Sequence, residues 1–415
     1  MSADYLDSAR RFSRRDVLRK GAVATAVAGL GLSGFAGSAA AGDDGKNGDT
    51  VPDDAIPIDG PTVITEPGYY VLTQDITVKD VSEVIVVEEG VSDVTIDGRG
   101  YRMKGPRNDG YSDTTAIRAG LYLSDDVVDV TAKDIVITGF GTGIEYSDNR
   151  NGTISNVKIT HCEVALRLYN VKELTIADNV IAKNDIVFFQ DEGTRTVHIL
   201  RNRITRNEDV GGFYFAATLL IRNNRFDYNN GALSMLYTYD SKIVDNLFYQ
   251  NDAGLSYSDS VGTSVNGSGD VIRGNRFIEN DRYGISVEED SRDVLIEEND
   301  IFRNGTDGIR LVGRVLRCTV SKNRIIGNGS DGIFLENADE NELVGNLIRQ
   351  NGGDGIELRS SEFNDLGSDN NVVRNNIIRE NGDLPIRIDE NSVGNVVEDN
   401  QIGDDAPDTC RLDSY

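Results

Sequence analysis

Apolar residues between positions 176 and 402 recur in a fixed frame around an asparagine. An aliphatic residue stands three positions before each asparagine, and Ile or Phe stands two positions after it. Repeats of this length predict a solenoid in which each repeat forms one coil. The ten asparagines that mark the repeat, mostly 22 to 24 residues apart, are Asn179, Asn202, Asn224, Asn246, Asn275, Asn299, Asn323, Asn346, Asn376 and Asn400.

A second apolar pattern, Gly-Ile-x-Leu, follows about ten residues after the asparagine in several repeats. Clear examples lie at 308–311, 332–335 and 355–358. Alternation of apolar and other residues is typical of short strands. We therefore expect an all-β fold, a single parallel β-helix over residues 56–403 with three short strands per coil and about 12–13 coils. Its hand should be right, because crossovers between parallel strands are nearly always right-handed.

The repeated asparagine is expected to have a structural role. Coils stack at about 4.8 Å, so equivalent side-chain amides would lie one above another and could form hydrogen bonds along the axis. Asn and Gly also tolerate tight backbone turns. We predict an asparagine ladder formed by the ten residues.

The N-terminus carries an export pattern. Residues 13–20 resemble a twin-arginine motif, and the Gly/Ala-rich stretch that follows ends in small residues at 39–41. This predicts a signal peptide over 1–41, an acidic linker over 42–55 and a C-terminal tail over 404–415. The protein should act outside the cell or at its surface, without an integral membrane segment after signal cleavage. An uncleaved membrane anchor is the alternative.

Charge narrows the set of partners. The chain has 69 acidic and 42 basic residues and a net charge of −27. An acidic, lysine-poor surface is typical of halophilic proteins, whose carboxylates keep the surface hydrated in concentrated salt. Nucleic acid is therefore not an expected partner, and we expect a monomer.

Basic residues concentrate in the hexads that begin at the repeated asparagines. Arg203, Arg225, Arg276 and Arg324 occupy the same slot, one residue after the asparagine. They should line up as a stripe on one outer face, where guanidinium groups could bind the carboxylates or sulfates of a polysaccharide. The alternative is local pairing with neighbouring acidic residues.

Aromatic residues are frequent in the middle repeats. Alternation predicts that Phe213 and Phe215 point inward and that Tyr214 points outward. Tyr214, Tyr237 and Tyr239 are the candidates for exposed rings on which a sugar could stack. Most of the other aromatic residues are expected to fill the core.

The repeat, together with the opening coil at 94–98 and the preceding segment 66–72, resembles a known family. The chain is similar to the pectin-lyase-like right-handed β-helix proteins, and within them to the NosD-type group that shares the carbohydrate-binding and sugar hydrolase domain. The resemblance covers residues 56–403. It implies polysaccharide lyases, hydrolases, epimerases, surface proteins or a copper-associated periplasmic factor as functional classes.

Candidate chemistry is sparse in the sequence. Copper favours imidazole, thiolate or thioether ligands, and the two histidines, His161 and His198, do not form a sequence cluster with the three cysteines and three methionines. No cofactor is evident, and calcium is the one cation left open. Outward positions offer carboxylates near arginines, as at Glu357 and Arg387, but no complete catalytic signature.

These observations favour an exported β-helix that recognises an acidic polysaccharide along an outer coil face. Three alternatives remain: a polysaccharide lyase or glycoside hydrolase, a structural cell-surface protein, and a NosD-like copper-associated factor. The sequence does not assign catalytic residues.

Overall fold

A computed structural model of the chain describes residues 50–107, 113–120, 127–190, 193–259, 269–361 and 365–403. The predicted signal peptide and C-terminal tail lie outside these residues. All strands belong to one compact unit, Asp44–Tyr415. Within the described residues, no helix is long and apolar enough to cross a membrane.

The strands form three long parallel sheets that wind as a β-helix, in the order sheet A, sheet B, sheet C within each coil. Sheet A has fifteen strands: β1 (Ile56–Ile58), β3 (Gly68–Leu72), β6 (Val94–Asp97), β10 (Val130–Lys133), β14 (Thr153–Ser155), β17 (Thr175–Ala177), β20 (His198–Leu200), β23 (Leu220–Arg222), β26 (Lys242–Val244), β29 (Val271–Arg273), β32 (Leu295–Glu297), β35 (Thr319–Ser321), β38 (Glu342–Val344), β41 (Val372–Arg374) and β44 (Val396–Glu398).

Sheet B contains the strands that follow the repeated asparagines. Its fourteen strands are β4 (Ile76–Thr77), β7 (Arg102–Lys104), β11 (Val136–Thr138), β15 (Lys158–Thr160), β18 (Val180–Ala182), β21 (Arg203–Thr205), β24 (Arg225–Asp227), β27 (Leu247–Tyr249), β30 (Arg276–Ile278), β33 (Asp300–Phe302), β36 (Arg324–Ile326), β39 (Leu347–Arg349), β42 (Ile377–Arg379) and β45 (Gln401–Ile402).

Sheet C contains the Gly-Ile-x-Leu strands. Its fourteen strands are β2 (Thr62–Ile64), β5 (Glu83–Val87), β8 (Thr115–Ala119), β12 (Thr142–Ser147), β16 (Val164–Tyr169), β19 (Ile186–Gln190), β22 (Asp209–Tyr214), β25 (Leu233–Leu236), β28 (Leu255–Ser258), β31 (Ile285–Glu288), β34 (Ile309–Leu316), β37 (Ile333–Asp339), β40 (Ile356–Arg359) and β43 (Ile386–Ile388). A short pair, β9 (Val127–Val128) and β13 (Asn149–Arg150), lies beside them.

The core is a set of columns of like side chains. Phe226, Phe248 and Phe277 are fully buried in sheet B and stack with ring centroids 4.7 Å apart. Burial of each such side chain contributes roughly 1.5–3 kcal/mol. Because every coil repeats this packing, the core extends along the whole solenoid.

The corner between sheets A and B is built by the repeated asparagines. Each of the first nine donates from its side-chain Nδ2 to the Oδ1 of the next, at 2.9–3.1 Å. The Oδ1 also accepts the backbone N–H of the preceding ladder residue, as Asn202 does from Asn179 at 3.0 Å. The A–B corner is therefore held by side chains buried from solvent.

A second ladder fills the corner between sheets B and C. It consists of the last asparagine of each hexad, and successive side chains bond at 2.8–3.2 Å. Its members are Asn184, Asn207, Asn229, Asn251, Asn280, Asn304, Asn328, Asn351 and Asn381. The glycine of each Gly-Ile-x-Leu strand packs beside it. A Cβ at Gly332, for example, would lie 2.4 Å from Ile348 Cγ2 and 3.0 Å from Asn351 Nδ2.

The ladder asparagines do not make the tight backbone turn that their identity suggested. The residue immediately before each one has a φ between 54° and 67°, a conformation that costs a side chain other than Asn or Gly about a kcal/mol or more. These residues are Asp178, Arg201, Asn223, Asp245, Gly274, Glu298, Lys322, Gly345, Asn375 and Asp399.

The all-β class and the three strands per coil predicted from the sequence are confirmed, but the solenoid is longer than 12–13 coils. It has about 14 turns, because β1 and β3 extend sheet A before the opening coil that the sequence pattern revealed.

Candidate functional site

The outward side of sheet C carries one continuous column of side chains. We call it the outer column, and its members lie in register from one strand to the next. From the N-terminal end these are Arg118, Glu145, Arg167, Phe189, Gly212, Ser234, Ser256, Ser286, Arg310, Phe334, Glu357 and Arg387. Charged and aromatic residues at both ends flank small residues in the middle.

Those four small residues, Gly212, Ser234, Ser256 and Ser286, form what we call the small-residue strip. At its start a Cβ on Gly212 would lie 2.1 Å from the carbonyl oxygen of Ser234, so only glycine fits there. At its end the Ser286 hydroxyl donates to Glu288 at 2.6 Å. The strip is a flat floor without a charged side chain in its own column.

Three aromatic rings border the strip at the corner between sheets C and A. We call Tyr214, Phe215 and Tyr237 the aromatic platform. The rings of Phe215 and Tyr237 stack in parallel with centroids 4.6 Å apart, and Tyr214 meets both edge-on at 4.5 and 5.6 Å. Phe215 is 43% exposed and Tyr237 is 37% exposed. Stacked rings that stay accessible are suited to the apolar face of a sugar ring.

The prediction that the Phe215 side chain points inward is wrong. Its φ of 51° ends the alternation of the strand and turns the side chain outward onto Tyr237. Phe213, two residues earlier, is buried as expected, and Tyr214 is half-buried. The prediction from strand alternation therefore failed at Phe215 because the strand ends at Tyr214.

Polar groups surround the platform. The backbone N–H of Tyr214 donates to Gln190 Oε1, whereas the Nε2 of Gln190 is buried without a hydrogen-bond partner in the described part of the chain. The negative charge of Asp259 is the main reason why the pKa of Tyr237 is raised. The Tyr237 hydroxyl is hydrogen-bonded to Asp259, so the platform offers a ligand the ring of Tyr237 rather than a free hydroxyl.

Two similar Arg–Phe pairs lie at the two ends of the small-residue strip. The Arg167 guanidinium is 5.3 Å from the ring centroid of Phe189, and that of Arg310 is 5.7 Å from Phe334. Such contacts are worth about 0.5–1 kcal/mol or more. The Nε of each arginine is buried; that of Arg167 has no hydrogen-bond partner among the described residues, and that of Arg310 lies 3.4 Å from Oδ2 of Asp307.

Buried carboxylates line the B–C corner beside the C-terminal part of the outer column. Oδ1 of Asp307 accepts the backbone N–H of Asp331 at 3.1 Å, and Oδ1 of Asp331 accepts that of Asp354. Arg387 donates to both oxygens of Asp354, and Asp307 lies 3.4 Å from Arg310. Asp331 has no such arginine within the described residues.

Asp331 instead lies beside another acid. Burial is the main cause that raises the pKa of Asp331 to about 7, and its hydrogen bond with Glu357 and the charge of Asp307 act in the same direction. Oxygens of Asp331, Asp354 and Glu357 lie within 4.8 Å of one another. These three carboxylates are where a cation such as calcium would fit best among the described residues, although Arg387 already satisfies Asp354.

The N-terminal end of the outer column is also charged. Arg118 pairs with Glu83, and both line a cavity of about 460 Å³. Glu145 lies between Arg118 and Arg167 in the column. Burial raises the pKa of Glu145 despite these two arginines.

The four arginines expected to form a stripe lie in one column of sheet B, on a different face from the platform. Leu247 interrupts the column after Arg225, and Asp300 interrupts it after Arg276. Three of the four are paired with carboxylates: Arg203 and Arg225 with Asp227 at 3.8 and 2.7 Å, and Arg324 with Asp300 at 3.0 Å.

The remaining nominated residues are dispersed. Tyr239 is half-buried at the start of the turn into sheet A, away from the ring cluster formed by Tyr214 and Tyr237. His161 is exposed at the B–C corner, whereas His198 lies in sheet A. Within the described residues, the only group of three or more His, Cys, Asp or Glu side chains positioned to share a cation is the acidic one.

The sequence contained a signal for the outer column that the asparagine repeat obscured. Its members occupy the variable position of Gly-Ile-x-Leu, for example Arg310, Phe334 and Glu357. The repeat drew attention to what recurs, whereas this face varies from coil to coil. Aligning the variable position alone would have revealed the Arg–Phe pairs and the small-residue strip.

Comparison with known families matches two parts of the chain. Residues 85–266 match the family described as periplasmic copper-binding protein (NosD), and residues 261–407 match the family described as right handed beta helix region. A search of curated proteins finds no match.

Solved structures of similar shape share little sequence with the chain. The periplasmic alginate epimerase AlgG is 13% identical, with a TM-score of 0.44 over 79% of this chain and 84% of that one. The AlgE4 A-module, a mannuronan C-5 epimerase of Azotobacter vinelandii, is 17% identical, with a TM-score of 0.47 over 81% and 87%. DFA-IIIase from Arthrobacter chlorophenolicus A6, without its lid, is 14% identical, with a TM-score of 0.48 over 68% and 83%.

Proposed function

We propose that this chain, which matches the NosD family over residues 85–266 and the right-handed β-helix family over residues 261–407, binds a polysaccharide along the outer column of sheet C. The observation that carries the proposal is the aromatic platform beside the small-residue strip. A sugar chain lying along the solenoid axis would pass over Ser234 and Ser256 and stack on Phe215 and Tyr237.

The polysaccharide is proposed to be acidic. Arg167 and Arg310 border the strip, and guanidinium groups form strong, directed bonds with carboxylates and sulfates. The sheet B arginines contribute less to this proposal, since Asp227 and Asp300 already pair with three of them. Export by the twin-arginine route is proposed with it, and the periplasmic description of the matched NosD family supports that setting.

Substitution of the platform tests the binding proposal. Tyr237→Ala removes a stacked, exposed ring, and loss of roughly 1.4 kcal/mol of contact would weaken binding about tenfold. The matched control is Tyr228→Ala, because Tyr228 is an equally exposed ring at the corner after sheet B, with a similar positive φ. Retention on a panel of uronate and sulfated polysaccharides in concentrated salt is the measurement.

Binding that falls in Tyr237→Ala and stays in Tyr228→Ala supports the proposed surface. If the unmodified protein is retained on none of the polymers, the structural cell-surface alternative is favoured instead. Unchanged binding in Tyr237→Ala would place binding elsewhere, and equal loss in both variants would show that the effect is not specific to the platform.

A second candidate function, hydrolysis of the bound polymer, is favoured by the Asp331–Glu357 contact. Two carboxyl groups in contact are too close to act as acid and base on opposite sides of a glycosidic bond, which needs a separation of at least about 5 Å. The pair can serve as one acid, which protonates the glycosidic oxygen as the C–O bond breaks. A water molecule adds to the anomeric carbon and releases its proton to solvent, from which the pair recovers its own proton.

Release of reducing ends measures this activity. Glu357→Gln should lower the rate by about 100-fold or more, without loss of binding at the platform. Glu390→Gln, a substitution of an exposed acid near the C-terminal end of the solenoid, is the control. Unsaturated rather than saturated ends would show elimination and contradict hydrolysis.

A further inference from the structure

We infer that the two Arg–Phe pairs are the two ends of one binding site, which selects anionic glycans long enough to reach both. This inference rests on the proposed function, because it concerns the same outer column. It adds to the proposed function a minimum length for the glycan and a spacing between its anionic groups.

The spacing of the pairs follows from strand register. Arg167 is succeeded in the outer column by Phe189, Gly212, Ser234, Ser256 and Ser286, and then by Arg310. Six coil steps at about 4.8 Å place the two arginine positions roughly 29 Å apart. An extended sugar chain of several residues is needed to span that distance.

The two ends share one contact and differ in exposure. Each arginine packs against the phenylalanine of the next coil, but Phe189 is 41% exposed, whereas Phe334 is buried and also packs against Arg359. Each also has one carboxylate neighbour, Glu145 for Arg167 and Asp307 for Arg310. Stacking and pairing fix the side chain before a ligand arrives, which lowers the entropic cost of binding.

Arginine chemistry favours an anionic ligand at both ends. A guanidinium has five N–H donors, so one neighbouring carboxylate does not use all of them. A carboxylate or sulfate of the glycan can accept the remaining donors in the paired geometry that such groups prefer. Between the ends, Ser234 and Ser256 offer accessible hydroxyls, whereas Ser286 is buried and its hydroxyl bonds Glu288. The small-residue strip has no charged side chain in its own column.

Two weak contacts joined by one ligand act cooperatively. A short oligomer can engage only one pair, whereas a longer one makes the second contact at high effective concentration. Affinity should therefore rise in a step at the length that spans roughly six coils. Beyond that length it should increase only slightly.

Titration calorimetry with the full-length folded protein and a length series of uronate oligomers tests this inference. We expect a step of at least about tenfold in affinity. Arg167→Gln and Arg310→Gln should each remove the step and leave the affinity for short oligomers nearly unchanged. The double variant should resemble either single variant.

Arg206→Gln is the matched control. The guanidinium of Arg206 lies 5.8 Å from the ring centroid of Tyr228, so it forms an Arg–aromatic contact away from the outer column. The Arg206→Gln variant should show the same step in affinity with oligomer length as the unmodified protein. Unfolding midpoints of all variants show whether each one folds.

The possible results separate the inference from the proposed function. A smooth rise with length, or a step that survives both arginine substitutions, would overturn the two-ended site. If Tyr237→Ala still weakens binding in those circumstances, polysaccharide recognition at the platform stands. Binding that neither the platform nor the arginines affect would overturn both.

Discussion

The corner between sheets A and B and the corner between sheets C and A are held by different kinds of bond. At the A–B corner the turn is closed by a side chain, since each ladder asparagine bonds the backbone and the side chain of its neighbour. Where the chain leaves sheet C, backbone groups make the bonds of the C–A corner, as in Phe215 N–H to Leu236 O and Tyr237 N–H to Ser258 O. Side chains contribute farther along this corner, just before the sheet A strands, at Asp270 and in the short ladder of Asn341, Asn371 and Asn395.

That difference determines which corner can vary. The A–B corner keeps asparagine in all ten coils from Asn179 to Asn400. The corresponding C–A column contains Phe215, Tyr237, Asp259 and Glu289 in successive coils, all with positive φ. Where the backbone bonds do not depend on the side chain, the side chain is available for a ligand.

The largest effect is expected from breaking the A–B ladder. Asn224→Ala would remove the acceptor of the Asn202 backbone N–H and of one Asn202 side-chain N–H, and the side-chain donor to Ile199 O and Asn246 Oδ1. The free energy of unfolding should fall by roughly 3 kcal/mol or more. Urea denaturation measures it, with Asn230→Ala, at an exposed site, expected to change stability by less than about 0.5 kcal/mol.

An intermediate effect is expected where the C–A corner has an incomplete ladder. Asp270 is fully buried and accepts the backbone N–H of Ser241 at 2.6 Å and the hydroxyl of Thr238 at 3.2 Å. Burial is the main cause that raises the pKa of Asp270 to about 6.

Because this folded-state pKa lies above the unfolded value, Asp270 favours the folded state most at low pH. That contribution is lost as pH rises from about 4 through about 6. Asp270→Asn should therefore stabilise the protein at pH 7, by at most about 3 kcal/mol. Measuring the free energy of unfolding of the unmodified protein and of Asp270→Asn across this pH range isolates the contribution of Asp270. A constant difference between them would contradict the assignment.

The smallest change in stability is expected at the platform. Phe215 is exposed and has a φ of 51°, a conformation that asparagine tolerates well. Phe215→Asn should shift the free energy of unfolding by less than about 0.5 kcal/mol while weakening polysaccharide binding. A large loss of stability would show that the C–A corner, like the A–B corner, depends on its side chains.

The fold could be predicted from the sequence because its determinants repeat. The apolar position two residues after each asparagine fills one core column, as Phe226, Phe248 and Phe277 show. Because each coil must fill the same core position, the same type of residue recurs in the sequence. The number of coils was underestimated because the first coils, which include β1 and β3, do not contain the asparagine hexad.

The candidate site was less accessible to sequence reasoning. Tyr214 and Tyr237 were named from composition, but their contact with Phe215 depends on a positive φ that strand alternation does not foresee. The same limit applies to Asp331 and Glu357. Asp331 repeats with Asp307 and Asp354 immediately before Gly-Ile-x-Leu, but this repeat does not reveal that Asp331 meets Glu357 across adjacent coils.

The second ladder also bears on how the protein ages. Asn304, Asn328 and Asn351 are each followed by glycine, a dipeptide whose backbone nitrogen readily attacks the side-chain amide. Asparagine is among the residues that limit the chemical lifetime of proteins at high temperature. Here each amide is bonded within the ladder, and the glycine nitrogens donate to carbonyls one coil away, as Gly305 does to Asn280 at 2.8 Å. The bonds that define the coil therefore also restrain the atoms that would deamidate, so the folded chain should resist this form of chemical decay.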